Sequence, residues 1–106
     1  MISCGGLSTT HTVIDTGTGT SPHMVDLSWT ASTSAEVSGY NVYRALYTNS
    51  CGSFSKINPA LITTTSYEDS EVKASTSYCY ATTAVDTNNQ ESEYSNIVAD
   101  VQIPAS

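Results

Sequence analysis

Hydrophobic and polar residues alternate along most of this chain. Val25, Leu27 and Trp29 are interleaved with Asp26, Ser28 and Thr30. That two-residue period is the mark of a strand with one face buried. Tyr40 and Val42 repeat it against Asn41 and Tyr43, and Tyr78, Tyr80, Thr82 and Ala84 share one face of the longest segment, Ser77 to Val85. Shorter segments at Thr12 to Asp15, Phe54 to Ile57, Ile62 to Glu68 and Tyr94 to Ile103 are also predicted as strands. Pro59 confines the Phe54 segment to an edge, and Pro104 stops the last one. Between them lie Gly-, Ser-, Asn- and Pro-rich breaks: Thr16 to Pro22, Ala31 to Ser38, Asn49 to Ser53 and Asp86 to Gln90. About seven short strands with turn signals every 8–12 residues or so predict an all-β, antiparallel two-sheet sandwich. No stretch with a helical period competes with that reading.

Composition narrows the picture. The chain has 106 residues, enough for one domain. Residues 1–11 show no period and are predicted as an N-terminal arm, with the domain spanning residues 12–106. Only 12% of residues are charged, and the net charge is −7, with Arg44, Lys56 and Lys73 the only cations. A phosphate backbone or an anionic bilayer repels such a surface, so no nucleic-acid partner is expected and anionic membrane surfaces are disfavoured. No apolar run approaches the ~20 residues of a membrane span, and Met1-Ile2-Ser3 is too short for a signal peptide.

Five segments, read in order, carry a family resemblance. They are Leu27-Ser28-Trp29, Gly39-Tyr40-Asn41-Val42-Tyr43-Arg44, Thr76-Ser77-Tyr78, Ala84-Val85-Asp86 and Tyr94-Ser95-Asn96. Together they resemble a fibronectin type III domain of the bacterial kind found in secreted and cell-surface proteins, over roughly residues 12–103. The resemblance implies a seven-stranded, immunoglobulin-like sandwich. It implies that Trp29 fills the core from the second strand. It also implies that Tyr78 forms a tyrosine corner, its hydroxyl bonded back to the backbone just upstream, where free carbonyls are expected. The loop from Thr87 to Ser92 holds no Arg-Gly-Asp, so integrin-type adhesion gains no support. The implied role is a non-catalytic extracellular module that acts through protein partners.

A few residues are candidates for chemistry beyond packing. Cys79 falls on the strand face opposite Tyr78 and Tyr80, outside the core, and Cys51 falls in a turn that the sheet brings near it. Either the two form a disulfide, which would contribute about 3–4 kcal/mol by closing the loop between them, or they are free thiols. Cys4, in the arm, is a free thiol, an intermolecular bridge or a lipid-attachment site. His11 and His23 lack further ligands at metal-site spacing and read as surface residues. The run Glu68-Asp69-Ser70-Glu71 reads as a solvated turn, and no other carboxylates cluster enough for calcium. No metal or cofactor site is expected. No Gly-x-Ser-x-Gly elbow is present, so hydrolase chemistry is not expected. Tyr43 and Tyr47 are candidates for an outer aromatic surface, which would suit an accessory carbohydrate-binding module. Residues 1–11 would suit self-association by strand addition to an exposed sheet edge, building a filament.

Overall fold

The structure, a computed structural model, describes residues 6–13, 23–32 and 36–103, with the backbone alone over 8–13. Among these residues it has seven strands: β1 (Leu7–Val13), β2 (His23–Trp29), β3 (Val37–Leu46), β4 (Ser55–Lys56), β5 (Ser66–Asp69), β6 (Ser77–Asp86) and β7 (Val98–Gln102). All pairings are antiparallel. One sheet runs β1-β2-β5 and the other β4-β3-β6-β7. No described helix is long and apolar enough to cross a membrane.

Alternation along the strands builds the core between the sheets. Val25, Leu27 and Trp29 point inward from β2, and Tyr40, Val42, Tyr78, Tyr80 and Ala84 meet them from β3 and β6. The Trp29 indole meets the Tyr40 ring edge-on at 5.5 Å. The Tyr40 hydroxyl accepts the Ser32 N–H at 2.9 Å, so the phenol is buried without losing its polar partner. Tyr40 and Ile62 exchange both backbone hydrogen bonds and fasten the connection between β4 and β5 onto β3. That crossing is tight. A Cβ on Gly39 would lie 2.5 Å from Leu61 Cγ and 2.7 Å from the Ile62 carbonyl oxygen.

Several elements depart from the sequence-based expectation. The first strand was expected at Thr12 to Asp15, behind an arm of residues 1–11. Instead β1 takes up Leu7 to Val13, so the division between residues 11 and 12 falls inside a strand. Leu7 is the cause: its side chain is buried in the core, and its N–H and C=O both bond to the Asn96 side chain, at 2.8 and 3.1 Å. Residues 7–11 are therefore already paired with β2 and are not a free arm for addition to the sheet edge of another chain. Cys4 and Asp15 lie outside the described residues. The segment from Phe54 to Ile57 forms only the two-residue β4, because Asn58 takes over its pairing. The Asn58 side chain accepts the Val42 N–H at 2.8 Å and donates to Asn41 Oδ1 and to the Ala60 carbonyl, each at 2.9 Å.

The last strand was expected from Tyr94 but begins at Val98. From Ser92 to Ser95 the chain is stitched to β6 by hydroxyls. Ser92 donates its N–H to the Ala84 carbonyl and accepts the Ala84 N–H on Oγ; Ser95 does the same with Thr82. Each serine replaces a ladder carbonyl with its side chain. The segment therefore advances three residues for every two on β6, too wide for regular pairing.

Candidate functional site

Tyr78 sits two residues before Tyr80 on the inward face of β6. Its hydroxyl accepts the Lys73 N–H at 3.0 Å, closing a corner over the crossing from β5. The partner is an amide rather than the carbonyl expected from the sequence. Because the phenol oxygen accepts there, its proton is left to point elsewhere.

Beside this corner lies a buried polar centre that the sequence did not advertise. Asp69, at the end of β5, is 3% exposed and is not part of a solvated turn. Arg44 Nη1 donates to both its carboxylate oxygens, at 3.0 and 2.9 Å. The Tyr80 hydroxyl donates to Oδ2 at 2.6 Å, and the Glu71 N–H donates to Oδ1 at 3.1 Å. The Arg44 guanidinium lies 5.2 Å over the Tyr78 ring. Burial disfavours the charged guanidinium, but the hydrogen bond and charge of Asp69 outweigh it and hold Arg44 above its ordinary value. Burial first, and then Asp69, push the Tyr80 phenol far above its ordinary range. With four hydrogen bonds from three donors on one carboxylate the centre is closed. It clamps β5 of one sheet to β3 and β6 of the other.

A second centre is open to solvent. Tyr43, on the outer face of β3, meets the Tyr94 ring at 5.3 Å, and Phe54 meets Tyr94 at 5.2 Å. Tyr94 joins the other two into one aromatic cluster, its plane inclined 61° to Tyr43 and 45° to Phe54. The Tyr43 and Thr83 hydroxyls both donate to Glu91 Oε2 at 2.6 Å. Burial raises the Glu91 carboxyl, but hydrogen bonds from Thr83, Tyr43 and Asn41 outweigh it and hold the group below its ordinary value. Burial, reinforced by the bond to Glu91, pushes the Tyr43 phenol up to about 12. A groove of about 380 Å³ opens here, lined by Tyr43, Thr83, Glu91, Ser92, Glu93 and Tyr94. The sequence pointed to Tyr43 and Tyr47 as a surface pair. Tyr47 instead sits at the mouth of the disulfide turn, bridged to Cys51, and the rings beside Tyr43 are Phe54 and Tyr94. The alternation of β3 exposes Tyr43; no local signal placed Phe54 and Tyr94 next to it.

Cys51 and Cys79 are joined in a disulfide, with Cα atoms 5.9 Å apart. The bridge pins the turn after β3 onto the outer face of β6. Cys79 lies on the face opposite Tyr78, but the turn covers it completely. His23, expected at the surface, is 4% exposed at the start of β2. Among the described residues no three His, Cys, Asp or Glu side chains come together as metal ligands.

No protein-family model matches this chain. No curated protein matches it either. Among solved structures, a region of the C. elegans twitchin kinase is similar with a TM-score of 0.65 and 22% identity, over 77% of this chain and 14% of that one. A pectate lyase from Erwinia chrysanthemi, solved in complex with tetragalacturonic acid, is similar with a TM-score of 0.59 and 23% identity. There the match covers 86% of this chain and 27% of that one, so in both cases it spans only a minor part of a larger protein. These two likenesses are of fold. A fibronectin type III-like protein from Clostridium thermocellum is similar with a TM-score of 0.65 and 29% identity, over 90% of this chain and 85% of that one. Coverage that nearly complete on both sides, joined to the Trp29 core and the Tyr78 corner, makes this chain a fibronectin type III-like domain.

Proposed function

We propose that this chain is a non-catalytic structural or interaction module of a secreted or cell-surface protein, of the bacterial extracellular kind. The observation that carries this reading is the Cys51–Cys79 bridge, half of it sealed under a turn. Disulfides persist where the surroundings are oxidising, and small exported domains use them to supplement a limited core. The saturation of Asp69 and Glu91 by internal donors fits a scaffold rather than a reactive centre. Thermal unfolding with and without reductant tests the reading. Loss of about 3–4 kcal/mol in a domain of this size lowers Tm by well over 10 °C. A Tm unchanged after complete reduction would remove the reason for placing the chain outside the cell.

The exposed Tyr94 ring of this aromatic cluster favours a second reading, an accessory carbohydrate-binding module. The face of a sugar ring stacks on tyrosine, and the adjoining Glu93 and Ser92 offer polar contacts. With a net charge of −7 and two glutamates at the groove, the matching ligand is a neutral polysaccharide rather than a polyuronate. Electrophoresis through gels containing neutral polysaccharides is the test. Retardation that Tyr94→Ala abolishes supports it; unretarded migration of the unaltered chain in every gel overturns it.

A further inference from the structure

β3 and β6 run 10 residues each, whereas β5, in the facing sheet, runs 4. The alternation that turns Tyr40 and Val42 inward places Arg44 and Leu46 on the same face of β3. Arg44 reaches Asp69, the last residue of β5. Two residues further along β3, Leu46 is left 56% exposed. A groove of about 690 Å³ opens over this end of the core face, between β4 and the crossing from β5 to β6. It shares no lining residue with the groove beside Tyr94.

Two of the three cations in the chain, Arg44 and Lys73, line this groove. Asp69 engages the Arg44 guanidinium through Nη1 alone. Nη1 lies on the Cδ side of the planar group, so Nε–H and Nη2–H point together in another direction and remain a complete fork. Among the described residues that fork has no partner, and neither nitrogen is sealed from solvent. Two parallel donors of this kind match the two oxygens of a carboxylate. The fork is also held in place, by Asp69 at one end and by the Tyr78 ring 5.2 Å beneath it. Its geometry is set before any ligand arrives, which removes part of the ordering cost of binding.

We propose that this groove binds a small organic monocarboxylate, its carboxylate on the Nε–Nη2 fork of Arg44 and flanked by Lys73, its apolar body against Leu46 and Ile57. Asp69 does not oppose the ligand, because its own oxygens are filled by internal donors. Glu71, the carboxylate that shares the lining, stands exposed and does oppose it. The net charge of −7 limits the size of the ligand. Charges beyond about 8 Å are largely screened at physiological salt, so a single carboxylate responds mainly to the groove itself. A polyanion would run past the two cations and over the acidic surface.

The test is a titration of the full, isotope-labelled chain with benzoate at about 150 mM salt, read from amide chemical shifts. The Arg44, Leu46, Gly52 and Lys73 amides are expected to shift together and to saturate with a Kd of about 1–10 mM. Benzamide keeps the ring and loses the charge, and inorganic phosphate keeps charge and loses the ring; each is expected to bind at least about ten-fold more weakly. Arg44→Lys keeps the charge beside Asp69 but has no fork, so it is expected to weaken benzoate at least about ten-fold. Lys73→Gln is expected to weaken it about three-fold and Glu71→Gln to tighten it by a similar factor. No saturable shift by about 50 mM benzoate, a ten-fold excess over the expected affinity, would overturn the proposal. So would benzamide or phosphate binding as tightly, shifts centred away from these residues, or a folded Arg44→Lys that binds like the unaltered chain. Lys73 and Glu71 are exposed and their substitution spares the core, so unchanged affinity in both variants would overturn it even if Arg44→Lys fails to fold.

Discussion

Asp69 accepts four hydrogen bonds while only 3% exposed, and this makes it the residue on which the two sheets most depend. Asp69→Ala would leave a guanidinium and a phenol without their partner between the sheets. Removing one member of a buried pair costs about 3–5 kcal/mol, and Arg44, whose side chain is 22% exposed, recovers some hydration, which favours the lower end. Chemical denaturation is expected to show a loss of about 3 kcal/mol, with Arg44→Met/Asp69→Leu less damaged than the alanine variant because no charge is left stranded. Gly39 is the second sensitive position. Gly39→Ala drives a methyl into the Ile62 carbonyl, a backbone group fixed by its bonds to Tyr40, and the same measurement is expected to show a cost of about 1–3 kcal/mol. Trp29 and Tyr78 were legible in the sequence because strict alternation assigns each to a face. Asp69 was not: it stands in an acidic run that resembles solvated surface, and its partner lies 25 residues away on another strand. His23 was missed for a similar reason, since a polar residue at a strand start carries no mark of burial.

Where alternation is clean the strands were legible: β6 almost to the residue, β2 from Val25 onward, and the middle of β3. β3 however runs from Val37 to Leu46 and takes Val37 and Ser38 from the expected connection. Elements held by side chains were not legible. β4 looked longer than it is because the Asn58 amide supplies the next pairing in place of the backbone. β7 looked longer because Ser92 and Ser95 imitate a ladder with their hydroxyls. β1 was read too far along the chain because its one apolar anchor, Leu7, sits among Gly, Ser and Thr. Such substitutions of side chain for backbone leave no periodic trace. They do leave a measurable dependence. Ser95→Ala removes the acceptor of the Thr82 N–H, a group in the part-buried seam along β6. An amide deprived of its acceptor there costs about 1–3 kcal/mol. Exchange at the Thr82 amide is expected to accelerate while the Ala84 amide, held by Ser92, keeps its protection. Equal acceleration of both would mean the serines act only through global stability, and no change at either would mean the hydroxyl bond contributes nothing.

The molecule as a whole has two pH limits, set by different groups. On the acid side Glu91 titrates below its ordinary value in the fold, so between the folded and ordinary values the unfolded chain binds more protons. Its contribution is complete above about pH 4.5 and is lost as pH falls through the folded value. On the alkaline side the sign reverses. The Tyr43, Tyr67 and Tyr80 phenols are all raised, by burial first and then by neighbouring carboxylates. The native state keeps protons that the unfolded chain releases near pH 10, so their contribution is complete below about 10 and is lost as pH rises through about 12 and beyond. Denaturation midpoints are expected to form a plateau between about pH 5 and 10 and to fall on both sides. Tyr80→Phe removes the most strongly held phenol, at the cost of one bond to Asp69, and is expected to flatten the alkaline slope while lowering the plateau. Tyrosinate absorbance followed alongside far-ultraviolet dichroism makes the cause explicit. Three phenols are expected to ionise only as the fold is lost; if all seven tyrosines ionise near pH 10 with the sheets intact, the interior does not hold these protons.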